Sequence, residues 1–199
     1  MKIYGDTRSG NCYKLQLLCA LLSTPHEWED VDIMAGETRS DAFLAMNPNG
    51  QIPICVLNNG EVLTESNAIL YYLAQGSAYW PDDRLMQTRV LEWQFFEQYT
   101  HEPTIAVARF IRLYQNMPEH RLDEYESRLK GGYRALSLME SHLEARSFLV
   151  GDRCSIADIS LYAYTHVAHE GGFDLSGYPS IGRWLARVEA LPGYLRMQS

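Results

Sequence analysis

Short apolar segments with the alternating pattern of β-strands occur in this chain only before Ser77. Between them lie segments whose apolar residues recur at helical spacing, so strands and helices alternate there. After Ser77 the apolar spacing is helical throughout. We therefore expect an α/β domain over residues 1–77, a linker over 78–86 that contains the polar segment AYWPDD, and an all-helical domain over 87–199.

The pattern of the first region predicts the element order β-α-β-α-β-β-α. The turn residues NPNG end the second helix, and the tight turn NNG joins two strands as a hairpin. Ser66 is the predicted N-cap of the last helix, which Gly76 ends. This order is that of a thioredoxin-like α/β fold. The predicted elements are KIYG, residues 11–22, HEWEDVDI, SDAFLAM, IPICVL, EVLT and SNAILYYLAQ.

The second region predicts four helices. A long helix over 84–115 has a bend near Pro103, and another helix covers 122–146. The segments SIADISLYAYTHVAH and SIGRWLARVEAL form two more. In the first of these, Ser155 and Asp158 have the spacing of a capping box, which stabilises a helix start and carries no chemistry.

The composition limits the kinds of partner that the chain can have. The 199 residues carry a net charge of −8, whereas a nucleic-acid-binding surface needs positive charge. No apolar run approaches the roughly 18 residues of a membrane span, and MKIYGD turns polar too early for a signal peptide. The four cysteines have neither metal-site spacing nor the density of a disulfide scaffold. We expect a cytoplasmic protein without nucleic-acid or membrane partners.

Three motifs in order give the chain a resemblance to a known family. They are YGDTRSGNCYK near the start, NPNGQIPICVLNNGEVLTESNAILYYL over 47–73, and SIADISL over 155–161. With a thioredoxin-like domain followed by a helical one, they resemble the cytosolic glutathione transferases, in the serine-type arrangement of the theta-like and bacterial classes. The resemblance covers almost the whole chain. It implies glutathione as a co-substrate and no metal or nucleotide cofactor.

The second motif resembles the glutathione-binding core of that family. The resemblance implies a cis bond before Pro53, which exposes the backbone of Ile52 for pairing with the cysteinyl unit of glutathione. Gln51 resembles the residue that meets the glycine carboxylate, and we expect Arg39 to assist it. Family members often have a charged lysine at this place. Because Gln51 is a neutral amide, we expect a neutral hydrogen bond to the glycine carboxylate here.

The acidic-serine pair Glu65 and Ser66 stands where a strand ends and a helix starts. The start of a helix offers free N–H groups and the positive end of its dipole, which suit a carboxylate. By resemblance, Ser66 binds the γ-glutamyl carboxylate through its hydroxyl and amide, and Glu65 binds the γ-glutamyl ammonium. Capping of the helix is the structural alternative for the pair, and the two roles are compatible.

Ser9 stands where a thiol–disulfide enzyme carries the first cysteine of a Cys-x-x-Cys motif. A serine with no neighbouring base is a poor nucleophile but a good hydrogen-bond donor. We therefore expect Ser9 to stabilise the thiolate of glutathione, with Asn11 as an alternative or additional donor. Cys12 could be a catalytic thiol, but a packing role in the first helix is favoured. Cys19, Cys55 and Cys154 lie on apolar faces and are expected in the core.

The resemblance places the second substrate, a small apolar electrophile, against the helical domain. Tyr99, Arg109, Phe110 and Tyr114 are the candidate contacts, and a homodimer is expected. The leading interpretation is a glutathione transferase. A glutathione-dependent disulfide reductase or peroxidase is the second interpretation. The third is a binding protein without activity, against which the intact set of Ser9, Ile52-Pro53 and Glu65-Ser66 argues.

Overall fold

A four-stranded mixed sheet organises the first part of the chain in the computed structural model, which describes residues 1–198. The strand order is β2-β1-β3-β4. β1 runs parallel to β2, and β3 runs antiparallel to both β1 and β4. The strands are β1 (Lys2–Gly5), β2 (Glu27–Asp30), β3 (Ile54–Val56) and β4 (Val62–Leu63).

Three helices complete the predicted order β-α-β-α-β-β-α, which the structure confirms. The apolar residues Leu15 and Leu18 recur on one face of the first helix and are fully buried, as are Ile69 and Leu70 on the helix that packs against it. The contact between these two helices forms part of the hydrophobic core of the first unit. The helices are α1 (Gly10–Leu21), α2 (Asp41–Met46) and α3 (Ser66–Ala74).

The starts of α1 and α3 differ. Ser9 is the N-cap of α1, and its side-chain oxygen accepts a long hydrogen bond of 3.5 Å from the N–H of Cys12. The prediction that Ser66 caps α3 is wrong, because the cap residue is Glu65 and Ser66 is the first residue inside the helix. Glu65 has φ of 66°, a left-handed conformation that turns the chain from β4 into α3.

The peptide bond between Ile52 and Pro53 is cis, as predicted. Pro53 is buried and directly precedes β3, while Ile52 is partly buried. Ile52 packs against a small core cluster that contains Val31, Phe43 and Ile54. The loop that leads into β3 is therefore anchored to the sheet by its apolar residue.

All regular secondary structure described in the second unit is helical, as predicted. No helix among residues 1–198 has the length and apolar character that a membrane span requires. The helices are α4 (Arg84–Phe96), α5 (Glu102–Arg109), α6 (Leu122–Leu143), α7 (Ile156–Thr165) and α8 (Pro179–Glu189).

The predicted long helix over 84–115 is a succession of helical segments. α4 and α5 are joined by a π-helical turn (Glu97–His101), and a second π-helical turn (Phe110–Tyr114) follows α5. Pro103 lies at the start of α5 and has no N–H for the carbonyl of the preceding turn. The first π-helical turn therefore falls where the sequence predicted the bend.

Two boundaries differ from the sequence prediction. The residues predicted as the end of the linker, 84–86, already belong to α4, which Asp83 caps by accepting a hydrogen bond of 2.9 Å from the N–H of Met86. The chain forms two compact units, and the segment from Pro192 groups with residues Met1–Ser77 rather than with the helical unit. There the Tyr13 hydroxyl donates to the carbonyl of Leu195 at 2.6 Å.

The predicted capping box is present at the start of α7. Asp158 is fully buried and accepts hydrogen bonds from the N–H of Ser155 and of Leu149, each at 2.9 Å. It also accepts from the Trp184 indole at 2.9 Å and the Ser155 hydroxyl at 3.0 Å. Burial raises the pKa of Asp158, and the hydrogen bonds donated to its carboxylate oppose that shift.

Candidate active site

The first turns of α1 and α3 bring predicted site residues into contact. Ser66 is only 6% exposed, and its hydroxyl donates to the side-chain oxygen of Asn11 at 3.4 Å. The two residues are separated by 55 positions in the chain. Two helices thus present the N–H groups of their first turns, which have no acceptor within the helix, in one part of the first unit.

Ser9 lies at the other side of this first turn of α1. It is partly buried, and its oxygen accepts from the N–H of Cys12, so the hydroxyl keeps its own proton for donation. The loop before it is held by Asp6, whose carbonyl accepts the N–H of Ser9 at 2.9 Å. The Asp6 carboxylate in turn accepts from Arg8 at 2.7 Å and 2.9 Å. Ser9 is therefore carried on a fixed turn.

Cys12 lies in the core beside this turn. Its side chain is fully buried, and burial raises the pKa of its thiol to about 12, while a hydrogen bond with Ser9 opposes the shift. A thiol with that pKa is protonated at neutral pH and is a poor nucleophile. This favours the predicted packing role. Cys19, Cys55 and Cys154 are also buried, as predicted.

Lys14 is a buried residue of this site for which the sequence analysis predicted no role. Its side chain is fully buried, and its ammonium donates to the Ser66 hydroxyl at 3.2 Å and to the Asn67 amide oxygen at 3.5 Å. A signal for its burial exists in the sequence. Leu17 and Leu18 follow at the three- and four-residue steps that mark one helix face, and both are buried.

The predicted residues for the glycine end of glutathione lie on a separate loop. Gln51 and Arg39 are both exposed, and Arg39 donates a long hydrogen bond of 3.5 Å to the carbonyl of Asn49. Its guanidinium lies against Gly50, where φ is 61° and an added Cβ would approach Nη1 to 2.5 Å. The structure thus brings Arg39 next to the loop that carries Gln51.

Glu65 is exposed, although it stands directly before the buried Ser66. Its side chain makes no capping hydrogen bond to α3. Positive φ at a non-glycine residue is unfavourable, and such residues cluster at ligand sites. Helix capping by the Glu65 side chain therefore does not explain this backbone conformation.

The four predicted second-substrate residues differ in environment. Tyr99 is 87% exposed, whereas Arg109 is 5% exposed and forms an ion pair of 2.5 Å with Glu170. The Arg109 guanidinium lies 5.4 Å from the centre of the Tyr114 ring, which is 5.7 Å from that of Phe110. The ion pair accounts for the burial of Arg109, which argues against a substrate contact for that residue.

The helical unit also contains a cavity of about 570 Å³ between α4 and the end of α6. Its lining includes Trp93, Phe96, His142 and Arg146, and none of the predicted second-substrate residues. Burial lowers the pKa of His142, although its hydrogen bond to the carbonyl of Leu149 opposes that shift. Among residues 1–198, no group of three or more His, Cys, Asp or Glu side chains could hold a metal ion.

Known proteins match the chain over nearly its whole length. Residues 8–75 match the family model for the glutathione S-transferase N-terminal domain, and residues 104–192 match that for the C-terminal domain. A glutathione S-transferase of known structure from Pseudomonas fluorescens Pf-5 is 56% identical in sequence. The match has a TM-score of 0.98 and covers 100% of this chain and 98% of that one.

Two more distant relatives have other names. A maleylacetoacetate isomerase from Methylobacterium extorquens AM1, solved with bound malonate and glutathione, is 26% identical with a TM-score of 0.82, covering 97% of this chain and 94% of its own. Protein URE2 of Debaryomyces hansenii is 24% identical, over 98% of this chain and 76% of its own. Both matched domains and the 56% identity lead to one conclusion. The chain belongs to the glutathione S-transferase family.

Proposed function

We propose that the protein is a glutathione transferase that activates the thiol of glutathione for attack on small, mostly apolar electrophiles. The observation that carries the proposal is the Ser9 hydroxyl at the N-cap of α1, in the same first turn as Asn11, whose side chain accepts from Ser66. The thiol proton passes to solvent. With a chloro-nitroarene, the thiolate sulfur bonds the ring carbon and chloride leaves with the C–Cl electron pair; with an isothiocyanate, the sulfur adds to the central carbon and the nitrogen takes up a proton from solvent.

The energetic demand on Ser9 is moderate. A free thiol has a pKa of about 8.5, and lowering it by two units needs roughly 2.7 kcal/mol. One donated hydrogen bond to a thiolate, together with the positive end of α1, is in that range. The Asn11 amide oxygen already accepts from Ser66, so we assign the main role to Ser9 and a supporting one to Asn11.

We assign the remaining contacts of glutathione as the family resemblance implies. The γ-glutamyl carboxylate binds at the hydroxyl and N–H of Ser66, and its ammonium binds at the exposed carboxylate of Glu65. The cysteinyl unit pairs with the backbone of Ile52 beside the cis Pro53, and the glycine carboxylate meets Gln51 with help from Arg39. Ser66 is buried, whereas the side chains of Gln51, Arg39 and Glu65 are exposed and accessible to a bound peptide, which supports this assignment of contacts.

A homodimer belongs to the same proposal. Leu91, Phe95 and Tyr99 recur every four residues and are 37%, 65% and 87% exposed, so they form an apolar stripe available for a second copy. The partner unit in the family pairing is the thioredoxin-like unit, where Tyr71 and Tyr72 are also exposed. We place the protein in the cytoplasm, where its four free cysteines stay reduced, with detoxification as its role.

The first test is binding of glutathione by calorimetry, followed by turnover with a chloro-nitroarene, an isothiocyanate, a hydroperoxide and a mixed disulfide. Saturable heat and conjugation of either of the first two support the proposal. Ser66→Ala should weaken binding by about 1–3 kcal/mol. Ser137→Ala, which removes an exposed hydroxyl from α6, is the matched control. No heat at millimolar glutathione would contradict the proposal.

The same panel decides between the alternatives. A disulfide reductase of the cysteine type needs a reactive thiol, and the buried, high-pKa Cys12 argues against it. Turnover of the hydroperoxide alone would point to a peroxidase. A binding protein without activity is the remaining candidate. Glutathione binding without any turnover would favour that outcome.

A further inference from the structure

The side chain of Arg8 holds the turn at residues 6–9, which joins β1 to α1. The buried carboxylate of Asp6 accepts from the N–H of Arg8 at 2.8 Å and from two of its guanidinium nitrogens, Nε at 2.9 Å and Nη2 at 2.7 Å. The guanidinium reaches both carboxylate oxygens, and such a bidentate pair fixes direction as well as distance. Because the Asp6 carbonyl accepts the N–H of Ser9 at 2.9 Å, the same pair fixes the start of α1.

Arg8 also connects this turn to the loop that follows β2. The strands β1 and β2 are parallel, so both loops leave the same edge of the sheet. Arg8 Nη2 lies 3.7 Å from a carboxylate oxygen of Asp32, and that oxygen accepts from the N–H of Met34 at 2.8 Å and of Ala35 at 3.1 Å. The exposed ion pair with Asp32 is weak by itself. It adds a second direction of support to the bidentate pair with Asp6.

The N-cap hydrogen bond holds Ser9 less firmly than the Arg8–Asp6 pair holds the turn. Ser9 Oγ accepts from the N–H of Cys12 at 3.5 Å, which is long for an N–H···O bond. The bonds from Arg8 to Asp6 are shorter and charge-assisted. The position of the Ser9 hydroxyl therefore depends on the backbone of the turn more than on its own cap bond. A shift of about 1 Å in such a group can cost about a hundredfold in rate.

We propose that Arg8 is a positioning residue for Ser9, holding the Ser9 hydroxyl where it donates to the thiolate of bound glutathione. This inference rests on the proposed function, since it concerns the residue assigned to the thiolate. Arg8 acts through the turn, and we assign it no contact with a reacting atom. A pair with a purely structural role would instead alter stability and leave the ionisation of the bound thiol unchanged.

The test is a double-mutant cycle between Arg8→Met and Ser9→Ala. Arg8→Met should raise the pKa of the bound glutathione thiol and reduce turnover at neutral pH by about tenfold, because the hydroxyl loses its position. Glutathione affinity should change by less than about threefold, since the pair acts on the thiolate and not on binding of the peptide. In the Ser9→Ala background the same substitution should change turnover by less than about twofold, since no hydroxyl remains to be positioned.

Related variants separate positioning from a general defect. Arg8→Lys keeps a charge beside Asp6 but not the bidentate pair, so it should recover part of the turnover. Arg8→Gln takes the place of Arg8→Met in the cycle if the latter does not fold, which chemical denaturation checks. Arg89→Met removes an exposed arginine that pairs with Glu92 at 2.7 Å in the helical unit. It is the matched control, with no expected change in turnover or in the pKa of the bound thiol.

Thiolate absorbance across pH gives the pKa of the bound thiol, and calorimetry gives the affinities. A loss in Arg8→Met that disappears in the Ser9→Ala background supports the inference. An equal loss in both backgrounds would mean that Arg8 acts independently of Ser9 and would overturn it. If the wild-type protein is active and the pKa stays unchanged in Arg8→Met, this inference alone fails. If the wild-type protein neither binds glutathione nor converts any electrophile, the proposed function fails and this inference with it.

Discussion

Buried polar groups occur in both units of the protein, but they have different surroundings. In the helical unit they face each other across helix contacts: Gln94 bonds Ser160, His101 bonds Thr165 at 2.8 Å, and Arg109 pairs with Glu170. In the first unit, the Lys14 ammonium and Ser66 lie instead at the start of α3, beside N–H groups that have no acceptor within the helix.

This difference shows that burial of a polar group does not by itself identify a site. A polar pair enclosed between helices hydrogen-bonds within the fold and helps to fix the packing. A polar group at a helix start leaves donors for something outside the chain. Replacing an enclosed polar group of the second unit should therefore alter stability, and replacing a polar group at a helix start of the first unit should alter chemistry or binding.

Asp158→Ala should produce the largest loss of stability. The substitution leaves the buried N–H groups of Leu149, Ser155 and Trp184 without their acceptor, at about 1–3 kcal/mol for each unsatisfied group. We expect the free energy of unfolding to fall by about 3–5 kcal/mol, measured by chemical denaturation. Asp152→Ala, an exposed aspartate in the same loop, should change it little. If folded Asp158→Ala bound glutathione less tightly than wild type, a polar group of the helical unit would affect binding, and the contrast between the two units would fail.

Ser9→Ala should reduce turnover at neutral pH by one to a few orders of magnitude, at about 1.4 kcal/mol per tenfold. The apparent pKa of bound glutathione should rise, because the thiolate loses its donor, while glutathione affinity changes much less. Thiolate absorbance across pH and the pH–rate profile give the pKa. Asn11→Ala should show the same behaviour only if its amide shares the task. Unchanged turnover in Ser9→Ala would remove the proposed mechanism.

His166 should make the stability of the protein depend on pH. Burial lowers the pKa of its imidazole to about 4, compared with about 6.5 in an unfolded chain. Between these values the unfolded chain binds a proton that the folded one does not, so stability falls as the pH falls from about 6.5 to 4. Allowing for its partial exposure, we expect the contribution to be about 2–3 kcal/mol.

The matched variant is His166→Asn, which can still donate to the carbonyl of Tyr162, as the imidazole does at 2.8 Å, but does not titrate. The difference in unfolding free energy between wild type and variant should grow in the variant's favour as the pH falls through this range. Denaturation at a series of pH values measures it. A constant difference would mean that His166 keeps an ordinary pKa.

Cys12→Ala should have the smallest effect. Removing one buried sulfur leaves a small cavity, which should lower the free energy of unfolding by about 1 kcal/mol. Turnover and the pKa of bound glutathione should not change, because the thiol is protonated at neutral pH. Denaturation and steady-state assays check both. Loss of activity here, with Ser9→Ala silent, would identify a cysteine-type thiol reductase.

Much of the fold could be predicted from local sequence pattern. The alternation of strand-like and helical segments before Ser77 gave the right order, since each segment buries one apolar face. The capping box at Ser155 was readable because it depends on residues only three positions apart. The segment from Pro192 was misassigned because its contact with Tyr13 joins residues 182 positions apart. No local pattern reports such a contact.

The site was less predictable than the fold. The motifs led us to propose Ser9 and Ser66 as site residues. The N-cap of α3 was misplaced because Glu65 adopts a positive φ that its residue type does not suggest. Lys14 was overlooked because a lysine near a helix start is usually solvated. Its burial depends on contact with α3, and Ser66 of α3 is 52 positions away in the sequence.

The bond between Tyr13 and Leu195 has a consequence for the order in which the protein is made. A ribosome produces the sheet, α1 and α3 first, and then the whole helical unit, before the segment that accepts the Tyr13 hydroxyl exists. The Tyr13 hydroxyl therefore cannot donate to the carbonyl of Leu195 until synthesis has passed that residue. The unit that is started first is completed last, so a nascent chain halted before that point lacks one contact of its first unit.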